Sequence, residues 1–194
     1  MNSQLWWYTA RSGGIVAWAL LAGSVLWGLA LSTKVLRGRP RPNWILDLHR
    51  FLGGLALVFT GIHVLAILFD TYVNFGLVNV LVPFTGTWHP AAVAWGIISL
   101  YLLTAIEVTS LARKHISKRL WRATHYLSFP LFALTTVHAL SAGTDRRTLL
   151  LRAVVVIVAV AVTALTFVRV NKADRHDLLT APPTSAPRRG VAPS

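Results

Sequence analysis

Four histidines fall inside long apolar stretches of the chain: His49 and His63 in one, His125 and His138 in another. A neutral imidazole is a good ligand for transition metals, and an ionisable side chain among apolar residues is costly enough to demand a partner or a function. The first two are 14 residues apart and the second two 13 apart. At the rise of an α-helix, either spacing separates the members by roughly 20 Å, placing one near each face of a bilayer. If both helices run in the same direction, residues at equal depth meet: His49 with His125, and His63 with His138. Each cross-helix pair could then ligate one iron axially. The same side chains could instead relay protons, or simply pack with a hydrogen bond to a neighbouring helix.

Helical angle separates the two pairs. Fourteen residues leave His49 and His63 roughly 40° apart, close to one face, whereas thirteen leave His125 and His138 roughly 140° apart on an ideal helix. Pro130 lies between the latter two. A proline removes a backbone hydrogen bond and kinks a helix, so it offers a way to bring both onto a useful azimuth. Gly53, Gly54 and Gly61 lie between the helix 2 histidines, where small residues would let a flat macrocycle approach the backbone. Arginines at either end could meet haem propionates: Arg50, Arg119 and Arg122 at one face, Arg146 and Arg147 at the other. Positive-inside topology accounts for the same arginines.

The elements that must carry these residues are membrane helices. Hydrophobic residues make up 55% of the 194 and charged residues 13%, too apolar a balance for a soluble domain. Five stretches approach spanning length: Gly14 to Ser32, Leu48 to Phe69, Ala91 to Leu111, Leu120 to Ala142 and Leu149 to Val168. The fold class is therefore an all-α integral membrane protein, a five-helix transmembrane bundle. Asp70 to Pro90 forms the longest connection, and its Phe75, Leu77, Val80, Leu81, Val82 and Phe84 suit a segment that lies on the membrane or caps the bundle. Residues 1–170 make up the membrane domain. Residues 171–194 are expected to form a disordered basic tail, since their composition cannot bury a core.

The net charge of +13 would suggest nucleic acid in a soluble protein, but here position decides. Lys34, Arg37, Arg39, Arg41 and Arg50 cluster between helices 1 and 2, and Arg113, Lys114, Lys118, Arg119 and Arg122 between helices 3 and 4. The C-terminal end, from Arg169 on, adds five more, which leaves Arg11, Arg146, Arg147 and Arg152 for the opposite side. That asymmetry puts the N-terminus outside and the C-terminus in the cytoplasm, and makes the bilayer, not nucleic acid, the partner. The chain contains no cysteine, which excludes disulfides, iron–sulfur clusters and thioether-linked haem. The first helix is expected to be retained, because no basic n-region or cleavage site accompanies it. His89, His115 and His176 read as interfacial or solvated. Glu107 reads as a structural partner for Arg113 or as a proton relay, and Asp70 and Asp145 as helix-end groups. The tryptophans Trp6, Trp7, Trp88 and Trp121 suit membrane interfaces.

The stretch His49-Arg-Phe-Leu-Gly-Gly-Leu-Ala-Leu-Val-Phe-Thr-Gly-Ile-His63, followed by Leu120-Trp-Arg-Ala-Thr-His125 and His138, resembles the ferric reductase-like transmembrane domain. That superfamily includes ferric reductases, NADPH oxidases and the haem-binding membrane subunit of bacterial methionine sulfoxide reductase systems. The resemblance covers roughly residues 12 to 170. It implies two non-covalent b-type haems, each held by one histidine from each of two helices, with His49, His63, His125 and His138 as iron ligands. Of the arginines named above, Arg50 and Arg122 are expected among the cofactor contacts. The resemblance also implies an oxidoreductase component in the cell membrane. The family usually has six spans with the ligands on the third and fifth; here they fall on the second and fourth. No Gly-rich dinucleotide fingerprint occurs, so no flavin or NAD(P) site is expected in this chain. A separate flavin reductase or a membrane quinol would supply electrons to an extracytoplasmic acceptor such as ferric iron or a partner oxidoreductase.

Overall fold

A computed structural model describes residues 3–33, 43–71, 73–143 and 148–180. Lys34, Arg37, Arg39, Arg41, Asp145, Arg146, Arg147 and the tail from residue 181 lie outside the described residues, as does the side chain of His176. The described chain is helical throughout, with no strand. Its elements are α1 (Ser3–Thr33), α2 (Asn43–Phe69), the short α3 (Leu77–Leu81), α4 (Pro90–Leu111), α5 (Lys118–Tyr126), α6 (Ser128–Ala142) and α7 (Leu149–Thr180). Four of these, α1, α2, α4 and α7, are long and apolar enough to cross a membrane. The protein is a multi-pass membrane protein.

The fourth predicted span is two helices that meet at Leu127. Pro130 is the physical cause: it has no N–H for the carbonyl of Tyr126, and its ring crowds that carbonyl. The Leu127 N–H turns to Thr124 O at 3.0 Å, and the helix resumes with Leu131 N–H donating to Leu127 O at 2.9 Å. Ser117 caps the start of α5, its hydroxyl accepting from the Leu120 N–H at 3.2 Å.

Both ends of the helical core run further than hydropathy suggests. The helix α1 begins at Ser3, eleven residues before Gly14, and Trp6 holds that extension by packing its ring 5.0 Å from that of Phe69 in α2. At the other end of the same pair, the Trp27 indole donates to Ile45 O at 2.9 Å. The helix α7 continues to Thr180. Residues 169–180 contain neither glycine nor proline, so nothing local stops the helix where apolarity ends.

Inside the bundle α1 is the central helix. Trp18, Leu21, Ala22, Val25 and Leu29 form a buried stripe at helical spacing that meets Leu131 and Phe132 of α6 and Val155 and Val162 of α7. Lengthwise packing joins α1 to α2 and α4 to α6, whereas α2 and α6 make no comparable contact. The indole N–H of Trp18 donates to Thr136 Oγ1 at 3.0 Å, tying α1 to α6. Thr136→Val keeps the shape but strands that donor in an apolar setting, and should lower stability by about 1 kcal/mol, read as a lower thermal midpoint in detergent.

The connection between α2 and α4 caps one end of the bundle. Asn74, Phe84 and His89 adopt positive φ values of 55°, 67° and 41°, which fold it tightly back over the helices. Phe75, Val80 and Trp88 from this segment help to line the cavity below, while Leu77, Val78 and Phe84 are exposed.

Candidate functional site

The histidines meet in the two predicted combinations. The ring centres of His49 and His125 lie 5.9 Å apart, and those of His63 and His138 lie 6.3 Å apart. Two imidazoles on opposite sides of one metal ion, each bonded at roughly 2 Å, have ring centres roughly 6 Å apart. The bend at Leu127 is what allows His125 and His138 both to face α2 across a 13-residue spacing.

Three of the four rings are held by the same local device. His63 Nδ1 bonds to Ala10 O at 2.6 Å, His49 Nδ1 to Ser24 O at 3.0 Å, and His138 Nδ1 to Ala92 O at 2.8 Å. A carbonyl only accepts, so each Nδ1 carries the proton and each neutral ring keeps its lone pair at Nε2. Metal-binding histidines are commonly oriented in this way by a hydrogen bond at the other nitrogen. His125 differs: its ring stacks on Trp121, centres 5.0 Å apart and planes 19° apart, and its buried Nδ1 has no hydrogen-bond partner among the described residues.

A cavity of about 330 Å³ adjoins the His63–His138 pair. His63, His138, Gly14, Gly96, Thr60 and Trp18 contribute to its predominantly apolar wall, with Arg11 and Asp70 also lining it. No cluster of three or more His, Cys, Asp or Glu side chains suited to a metal occurs among the described residues. Each pair therefore offers two protein ligands. Bare zinc, calcium or magnesium is usually held by more, whereas iron already carried in a macrocycle can be completed by two axial ligands. The donor set, the ring spacing and the protonated Nδ1 atoms fit haem.

The charged residues fall less neatly. Arg50 is exposed and pairs with Asp47 at 3.4 Å, and Arg122 is exposed. Arg50 is near enough to act electrostatically on His49, whereas Arg122 has no such effect on any of the four histidines among the described interactions. Closer to His125 stand Arg113, whose guanidinium lies 4.6 Å from the centre of the Trp121 ring, and Arg169, which donates to Tyr126 Oη at 3.3 Å. Both are near enough to act electrostatically on His125. Arg113 is thus engaged with Trp121, and Glu107 faces α2, its carboxylate lying where a Cβ on Gly53 would sit. A step of six residues, past the end of α4 at Leu111, turns Arg113 away from the face that carries Glu107, and no ion pair joins the two.

Gly54 and Gly61 have no atom within 4 Å of an added Cβ, while Gly14, Gly28 and Gly96 lie directly against His63, His49 and His138. These three glycines and the carbonyls beside them were not singled out by the sequence reading. The signal was present on α1: Gly14 and Gly28 repeat at the 14-residue spacing of His49 and His63.

Neither the curated proteins nor the solved structures compared with this chain gave a match. The family described as ferric reductase like transmembrane component matches residues 13–136, taking in His49, His63 and His125 and ending two residues before His138. That match spans most of the helical bundle described above, and the chain belongs to the ferric reductase-like transmembrane component family.

Proposed function

We propose that the protein is a transmembrane electron-transfer subunit. In this reading His49 with His125, and His63 with His138, each hold one b-type haem. Electrons enter from a cytoplasmic-side flavoprotein or quinol and leave to an extracytoplasmic acceptor, such as ferric iron or a partner oxidoreductase. The observation that carries the proposal is the stacking of two histidine pairs at two depths, with ring centres 5.9 and 6.3 Å apart. Membership of the family supports a membrane electron-transfer role.

Bound at these sites, haem supplies reversible one-electron chemistry at iron. The chain's own part is to hold the imidazoles, keep water away and balance charge. Hydrogen bonds from Nδ1 to the carbonyls of Ala10, Ser24 and Ala92 aim His63, His49 and His138. The apolar wall around the outer pair, roofed by Phe75, Val80 and Trp88, excludes water. Arg11 at the outer cavity, and Arg113 and Arg169 near His125, are placed to meet propionates, alongside Arg50 and Arg122 from the sequence reading. The basic loops and tail support a cytoplasmic location for the His49 end and an outside N-terminus.

A reduced-minus-oxidised spectrum of protein purified from haem-replete cells, with a haem assay, tests the proposal. Bis-histidine low-spin bands and about two haems per chain are expected. Absence of haem under those conditions would sink it, leaving the histidines as proton relays or packing residues in a non-redox bundle.

A further inference from the structure

Gly14 follows Ala10 by four residues, Gly28 follows Ser24 by four, and Gly96 follows Ala92 by four. In each case the carbonyl of the first residue accepts a histidine Nδ1–H, and the glycine lies under the same imidazole. Helix geometry explains the recurrence. The carbonyl of residue i points toward residue i+4, whose Cβ would normally shield it from a side chain arriving from another helix. With no Cβ there, the second lone pair of an oxygen already bonded within its helix becomes reachable.

From this recurrence we infer that Gly14, Gly28 and Gly96 are positioning residues. Each opens a backbone carbonyl that sets the tautomer and aim of one haem-ligating imidazole. The inference rests on the haem reading proposed above and adds residues that touch neither iron nor substrate. The contacts are tight enough to give it force. An added Cβ at Gly96 would stand 2.7 Å from His138 Cε1 and 2.8 Å from its Nδ1. At Gly14 it would stand 3.0 Å from His63 Nδ1, and at Gly28 3.1 Å from His49 Cε1. Gly23, on the same helix α1, is a fair comparison: its Cβ would meet only Leu52 Cδ1, at 3.9 Å.

The pattern also sets His125 apart. On α4 a second socket would need a glycine thirteen residues after Gly96, the spacing of His125 and His138, but Thr109 stands there and Ser110 follows it. The inner pair thus has one carbonyl-held ring, and the outer pair has two.

The test uses the haem-loaded protein and reads haem per chain, the low-spin electron paramagnetic resonance signals and helicity. Gly96→Ala should lose about half of the haem, that of the outer site, while keeping its helicity. Gly14→Ala should shift the signal of the outer haem or lower its occupancy, and Gly28→Ala should do the same at the inner site. Gly23→Ala should match the parent in all three readouts. Full haem content with unshifted signals in Gly96→Ala, Gly14→Ala and Gly28→Ala would overturn the inference while leaving the haem reading intact. Absence of haem in the parent protein would instead defeat the haem reading itself. A second measurement needs no variant and covers the case in which Gly96→Ala fails to fold. In the reduced, diamagnetic protein labelled with ¹⁵N-histidine, three ligand Nδ1–H protons should show the downfield shift of a hydrogen bond to a carbonyl. Fewer than three would overturn the assignment.

Discussion

If the proposed haem reading holds, replacing either His63 or His138 with alanine is expected to remove the haem of that pair, the outer one in the proposed orientation, and to spare the other, halving the haem content of the purified protein. The reason is geometric. The two rings lie 6.3 Å apart, and His63 and His138 are 14 and 13 residues along the chain from His49 and His125. Loss of one of the two histidines leaves a site with a single imidazole, and no cluster of three or more His, Cys, Asp or Glu side chains occurs among the described residues. His49→Ala and His125→Ala should act as the mirror pair, removing the inner haem alone. The four single variants should therefore sort into two classes by difference spectrum and haem stoichiometry. If His49→Ala and His138→Ala removed the same haem, the layered assignment would be wrong.

Pro130→Ala should also cost about half of the haem, although Pro130 is exposed and has no group that could ligate a metal. Alanine restores the N–H that the Tyr126 carbonyl lacks, favouring one uninterrupted helix from α5 into α6. A straight helix would put His125 and His138 roughly 140° apart. His138 is fixed in its socket on α4 by the Ala92 carbonyl, whereas His125 has only its stacking on Trp121. The less restrained ring should move, so the inner haem should be lost. Retention of full haem content in Pro130→Ala, with both low-spin signals unchanged, would mean that packing rather than proline maintains the bend.

Much of this was legible in the sequence because membrane helices and their ligands obey simple periodicities. The apolar runs located four of the five expected spans as helices long enough to cross a membrane, and the 14- and 13-residue spacings anticipated the meeting of His49 with His125 and of His63 with His138. Pro130 was legible as a kink, though not its result: two separate helices meeting at Leu127. What stayed hidden belongs to contacts between helices. Nothing local says that Gly28 lies under His49, or that Arg113 would cover Trp121 rather than pair with Glu107. Helix ends were also hidden where polar residues continue an apolar helix, as in α7 after Val168. In that stretch hydropathy reports the bilayer and not the backbone.

The packing of α1 on α2 and of α4 on α6, with little direct contact between α2 and α6, bears on how the molecule is built. Each half already holds its own imidazoles: α1 sets both rings of α2, and α4 sets the last ring of α6. Ribosomal synthesis delivers the halves to the membrane in that order, the first hairpin complete before the second emerges. On the proposed haem reading, cofactor capture amounts to closing two prepared jaws, and a chain starved of haem would be expected to reach the bilayer with its helices inserted and its halves not yet clasped.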